Sequence, residues 1–123
     1  MSRAVKMLVA VVLALGAVVG LGACSSQHAT GVSAGAVVVD VRTPAEYAAG
    51  HLSGAVNIDV EAPTFAAEVG RLDRNGQYLL YCHSGSRAGQ AAAQMSAMGF
   101  GHVTNLGSIG AAATTTGLAV VTH

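Results

Sequence analysis

Apolar and polar positions alternate in blocks along this chain, and the blocks predict its elements. "AVVVDV" (Ala36 to Val41) is a continuous β-branched run, the pattern of a strand buried on both faces in a parallel sheet. In "TPAEYAAG", Thr43 offers an N-cap, Pro44 the first helical position, and Glu46 falls three residues after the cap. That is a capping box, and Gly50 closes the short helix. "AVNIDV" (Ala55 to Val60) reads as the next strand, and "PTFAAEVGRL" places Phe65, Val69 and Leu72 at helical spacing. "DRNGQ" (Asp73 to Gln77) is a turn with an Asn-Gly pair. "YLLYC" (Tyr78 to Cys82) is a strand, and Ala88, Ala91, Ala92 and Met95 mark one face of a helix that stops at Gly99. "HVTNL" (His102 to Leu106) reads as another strand. The tail "GSIGAAATTTGLAVVTH" is ambiguous: its middle offers a short helix, but three consecutive threonines and Gly110 make that helix a poor one. Strands alternating with short helices predict an α/β sandwich around a mostly parallel sheet, with ligands at the carboxyl ends of its strands. Cys82 stands at such an end.

Length and the N-terminus narrow the picture. The chain has 123 residues, enough for one small domain. "MSRAVKMLVAVVLALGAVVGLGAC" begins with Arg3 and Lys6 and continues in an apolar run from Met7 to about Val19. A basic start before a short apolar run is the pattern of a secretory signal, shorter than the roughly 20 residues of a spanning helix. "LGAC" (Leu21 to Cys24) resembles the lipobox of bacterial lipoproteins, which implies a diacylglycerol thioether on Cys24 and cleavage just before it. Two acyl chains suffice for stable anchoring. The expected organisation is a lipoprotein signal peptide over 1–23, a flexible tether over 24–35 and a single domain over 36–123. The expected location is the bacterial cell envelope, on the outer face of the cytoplasmic membrane or in the periplasm.

Without the signal, four basic and six acidic residues remain, and no basic stripe is present. Nucleic-acid binding is excluded on that ground, since phosphate neutralisation needs clustered Lys or Arg. His28, His51, His83, His102 and His123 are scattered, without metal-ligand spacing. The chain has two cysteines, Cys24 and Cys82. With Cys24 lipidated, Cys82 is a free thiol.

The thiolate is the reactive form of cysteine, and amides at a helix N-terminus favour it. His83, Ser84, Gly85, Ser86 and Arg87 lie between the strand end and the helix body. Curled round the sulfur, their amides would form an anion nest, with Gly85 supplying a conformation closed to other residues and Ser84 and Ser86 adding hydroxyls. The loop is built to hold a charged sulfur and one further atom bonded to it.

Three blocks carry a resemblance. "DVRTPAEYAAGHLSGAVNI", "YCHSGSRA" and "MGFGHVTNLGS" resemble, in order, the opening motif, the active-site loop and the following helix end and strand of the rhodanese family of single-domain sulfurtransferases. The likeness runs from about Val37 to Leu118. It implies a three-layer α/β/α domain with a mostly parallel central sheet. It also implies that Cys82 takes the outer sulfur of a small anionic, thiosulfate-like donor, becomes a persulfide, and yields that sulfur to cyanide or another thiophile. The loop from His83 to Arg87 would bind the persulfide, and no cofactor or metal would be needed. Related phosphatases and arsenate reductases place five residues between cysteine and arginine. Here "CHSGSR" has four, a smaller nest that suits one sulfur atom better than a tetrahedral oxyanion.

Asp40 and Arg42, in "DVR", belong to the opening motif and are read as supporting residues. Asp40 would brace the loop by pairing with Arg87, unless Arg87 points at the donor. His51 is read as a turn residue and His83 as lining the loop, neither as a catalytic base. Many family members carry a second glycine and then a tryptophan after the last strand. This chain has Ser108 and no tryptophan, which predicts a looser C-terminal helix, since an aromatic buries about 150–250 Å². A persulfide relay and a non-catalytic domain of the same fold are the competing functions, and the intact Cys82 argues against the latter.

Overall fold

A computed structural model describes residues 32–123, so the expected signal peptide, Cys24 and most of the expected tether lie outside the described residues. The element order is β1 (Val37–Asp40), α1 (Pro44–Ala49), β2 (His51–Leu52), β3 (Val56–Asn57), α2 (Phe65–Val69), β4 (Tyr78–Cys82), α3 (Ser86–Ala97), β5 (Val103–Ser108), α4 (Ile109–Thr116) and β6 (Val120–Val121). A four-stranded sheet has the order β3-β1-β4-β5, and every pair in it is parallel. β2 and β6 form a separate antiparallel ribbon.

The apolar runs of β1 and β4 occupy the middle of the sheet, and alternate residues serve opposite faces. Val39, Leu80 and Cys82 join Phe65, Val69, Ala88, Ala91 and Met95 from α2 and α3 in one core. Val38 and Tyr81 join Leu52, Ala55 and Ala112 on the other side. This gives the expected three-layer α/β/α arrangement around a mostly parallel sheet. α1 has the expected capping box: the Glu46 amide donates to Thr43 Oγ1 at 3.2 Å, and the Thr43 amide donates to Glu46 Oε1 at 3.2 Å.

Three local expectations are corrected, and the ambiguous tail resolves into one of its alternatives. The strand expected over Ala55 to Val60 pairs in register only at Val56–Asn57, because its partner β1 ends at Asp40; beyond that the Ile58 and Val60 amides still donate to the Asp40 and Val41 carbonyls, at 3.0 and 3.1 Å. β5 extends to Ser108, beyond Leu106. The tail folds as a helix despite its threonines. Ser108 Oγ accepts from the Ala111 amide at 3.0 Å, Gly117 closes the far end at φ 76°, and Ala112 and Thr116 are buried. Two caps and a buried face outweigh the weak propensity. Ser108, at the family's second-glycine position, is therefore the N-cap of α4. Finally, His51 is a buried residue of β2. Its ring stacks on Tyr47 with centroids 3.6 Å apart, and Nδ1 lies 2.8 Å from the Tyr47 carbonyl. A carbonyl only accepts, so that nitrogen carries the proton and His51 serves as structure.

Candidate active site

β4 ends on Cys82, whose side chain turns toward α2 and α3 and has no exposed surface. The chain then crosses from strand to helix in three residues. His83 and Ser84 face solvent, and Gly85 takes φ 98°, a left-handed conformation that a side chain would strain. α3 starts at Ser86 with Gly85 as a side-chain-less N-cap, so its first-turn amides need an outside acceptor. The sulfur supplies it. Gly85 N–H donates to Sγ at 2.9 Å and Ala88 N–H at 3.4 Å. The sulfur is thus enclosed by apolar neighbours yet sits where two amides and the positive end of a twelve-residue helix converge.

The expected nest is therefore smaller than the five residues His83 to Arg87. Among the described residues only one of those five, Gly85, donates to sulfur, and the second donor is Ala88. His83, Ser84 and Ser86 line the exposed rim. Sequence reasoning missed Ala88 because its amide is anonymous. The signal was the helix start itself, where the third residue after the cap has a free N–H.

Asn105 on β5 holds the loop from outside. Its Nδ2 donates to the Gly85 carbonyl at 3.0 Å, and its Oδ1 accepts from the Gly107 amide at 2.8 Å. Gly85 and Gly107 cross closely there: a Cβ on Gly85 would stand 3.1 Å from Gly107 Cα.

The expected Asp40–Arg87 pair does not form. Asp40 is fully buried and pairs with Arg42 two residues on, receiving the Arg42 amide at 2.9 Å, Nε at 3.0 Å and Nη2 at 2.7 Å. Strand-end geometry explains this, since the carboxylate folds onto its own chain. Arg42 Nη2 also donates to the Gly50 carbonyl, fastening the end of α1 to β1. The hydrogen bond to Asp40 keeps the Arg42 guanidinium charged above its ordinary range. Burial pushes the Tyr81 phenol up, and its oxygen accepts from the Leu52 amide at 2.9 Å.

Arg87 is braced by other carboxylates. Nη1 meets Glu46 Oε1 at 2.7 Å and Nη2 meets Oε2 at 2.9 Å, a bidentate pair. Nη1 also meets Glu61 Oε2 at 3.1 Å. The Arg87 hydrogen bonds, foremost, lower the Glu46 carboxyl to about 2, and Glu46 in turn raises Arg87. Glu46 was legible only as a cap, and nothing in the sequence marks Glu61. No group of three or more His, Cys, Asp or Glu side chains that could hold a metal ion occurs among the described residues.

Comparison with known proteins agrees with this architecture. Residues 26–110 match the Rhodanese-like domain family. A rhodanese from E. coli, solved with anions, is 31% identical; the likeness covers 72% of this chain and 99% of that one, with a TM-score of 0.58. Protein hp1203 from Helicobacter pylori is 30% identical, covering 69% of this chain and 76% of that one, with a TM-score of 0.56. A rhodanese-related protein from Thermoplasma volcanium is 26% identical, covering 72% and 86%, with a TM-score of 0.60. No curated protein matches the chain. A strand-to-helix loop folded round one cysteine, in a parallel sheet with the order β3-β1-β4-β5 and with these relatives, identifies the chain as a member of the rhodanese-like domain family.

Proposed function

We propose that the protein is a sulfurtransferase that moves a sulfane sulfur from a thiosulfate-like donor to a thiophilic acceptor, cyanide or a thiol, through a persulfide on Cys82. The observation that carries this reading is the convergence of the Gly85 and Ala88 amides on Sγ, at 2.9 and 3.4 Å, in a rhodanese-like chain. The Cys82 thiolate attacks the outer sulfur of thiosulfate. The Sγ–S bond forms, the donor S–S bond breaks, and sulfite leaves with the electron pair. Cyanide then takes the outer sulfur as thiocyanate and returns the thiolate. Each half-reaction leaves one negative charge on the cysteine, and fixed amides stabilise it without reorganisation.

Intact mass after thiosulfate exposure tests the reading. A gain of one sulfur atom, removed by cyanide and absent in Cys82→Ser, is expected. No gain in the wild type from thiosulfate or from any other small sulfane-sulfur donor refutes it.

Phosphatase or arsenate chemistry has less support. Four residues separate Cys82 from Arg87, and Arg87 is already engaged by Glu46 and Glu61. A second reading is a persulfide relay with little turnover of its own, in which a partner thiol and not cyanide receives the sulfur from Cys82. Faster transfer to envelope proteins than to cyanide would establish it.

We also propose that the chain is exported and lipidated on Cys24. Support comes from the sequence, in the apolar run followed by "LGAC". Radiolabelled palmitate should enter the wild type and not Cys24→Ala.

A further inference from the structure

The carboxyl ends of three parallel strands meet around Cys82, and their charges do not balance. β1 runs into Arg42 and then Glu46, β3 into Asp59 and Glu61, and β4 into the loop and Arg87. β5 ends in Leu106, Gly107 and Ser108 without charge. Arg42 is consumed by buried Asp40. Arg87 is consumed by Glu46 in bidentate fashion and shared with Glu61. Two arginines therefore face four carboxylates on this rim. Arg71 and Arg74 follow α2 and precede β4, so they sit at the opposite end of the sheet. His83 is the only other basic side chain of the loop.

A sulfane donor must bring its negative charge to this rim. Thiosulfate carries two charges, and no uncommitted arginine there receives them. We infer that Glu61, by sharing Arg87 with Glu46 and leaving the rim net negative, sets donor specificity, so that Cys82 takes sulfur from singly charged donors such as organic thiosulfonates in preference to dianions. The inference rests on the sulfurtransferase reading and names the donor class within it. With methanethiosulfonate the step balances as with thiosulfate. The Cys82 thiolate bonds the outer sulfur, the donor S–S bond breaks, and methanesulfinate leaves with the electron pair.

Glu61 is more than half exposed, so Glu61→Gln removes a charge without opening the core. The bidentate Arg87–Glu46 pair remains. Rates of sulfur loading on Cys82 are compared for thiosulfate and methanethiosulfonate at one fixed pH. Glu61→Gln should raise the thiosulfate rate roughly five-fold, the effect of one charge at ~8 Å from a dianion in water. The methanethiosulfonate rate should rise by about the square root of that factor, roughly two-fold, because the Coulomb energy is halved. Wild-type loading from thiosulfate should also accelerate with added salt, and more steeply than from the monoanion, because screening relieves repulsion. Equal responses of the two donors to Glu61→Gln, or a thiosulfate rate that falls with salt, would overturn the inference and leave the sulfurtransferase reading intact. Failure of both donors to add sulfur would overturn both.

Discussion

Gly85→Ala puts the loop geometry under direct test. At φ 98° and ψ −16° the residue lies outside the conformations an alanine adopts freely. Holding a side chain there costs on the order of 1–3 kcal/mol. The added Cβ would also stand 3.1 Å from Gly107 Cα and 3.5 Å from its carbonyl carbon, both backbone atoms that cannot swing aside. Either the strain is accepted or the loop shifts, and a shift moves the amide that donates to Cys82 Sγ at 2.9 Å. A charge-assisted hydrogen bond is worth about 1.5–3 kcal/mol, so its loss should slow thiolate chemistry by about ten-fold or more. Urea unfolding should report a destabilisation of about 2 kcal/mol. Alkylation of Cys82 at a fixed pH should be slower than in the wild type. Gly101→Ala is the control, since nothing lies within 4 Å of its added Cβ and its φ is ordinary. It should fall within about 0.5 kcal/mol of the wild type. If Gly85→Ala matched that control in both stability and alkylation, the claim that loop geometry positions the amides on sulfur would be wrong.

Two further perturbations address the supports around the loop. Asp40→Ala leaves the Arg42 guanidinium buried without its carboxylate and should cost about 3–5 kcal/mol in urea. A double Asp40→Leu, Arg42→Met variant should recover much of that, and its failure to do so would show that Arg42 acts mainly through the Gly50 carbonyl. The Glu46 carboxyl, lowered to about 2 by Arg87, stabilises the fold fully above its unfolded value near ~4.3, and that contribution is lost as pH falls toward 2. Both side chains are partly exposed, so screening reduces it to on the order of 1 kcal/mol. The stability gap between wild type and Glu46→Gln should therefore be open above pH ~5 and narrow as pH drops toward 2, whereas a gap independent of pH would refute the ion-pair account.

What the sequence disclosed was what depends on neighbours along the chain. The Thr43–Glu46 box spans three residues, so its signature is local and α1 was legible. Continuous apolar runs named β1 and β4, because central strands need both faces apolar. Gly85 and the strand end at Cys82 located the loop. Contacts made across the fold were not legible. β2 and β6 are two residues each and pair across the domain, too short for any period to register. Arg87 finds Glu46 across 41 positions and Glu61 across 26, and nothing near Arg87 announces either. Ser108 looked like a missing glycine and turned out to cap α4, because a cap depends on where the preceding strand stops.

The burial of Cys82 bears on what can reach its sulfur before a donor does. Its sulfur offers no surface to a colliding molecule, so a bulky disulfide or another folded thiol cannot seize it unless the loop swings away. Peroxide and other small oxidants gain entry only during such openings, which shields the site from irreversible over-oxidation. Seclusion thus makes every reagent wait on the same opening of the loop, and a fresh thiol is not spent on the first visitor to arrive.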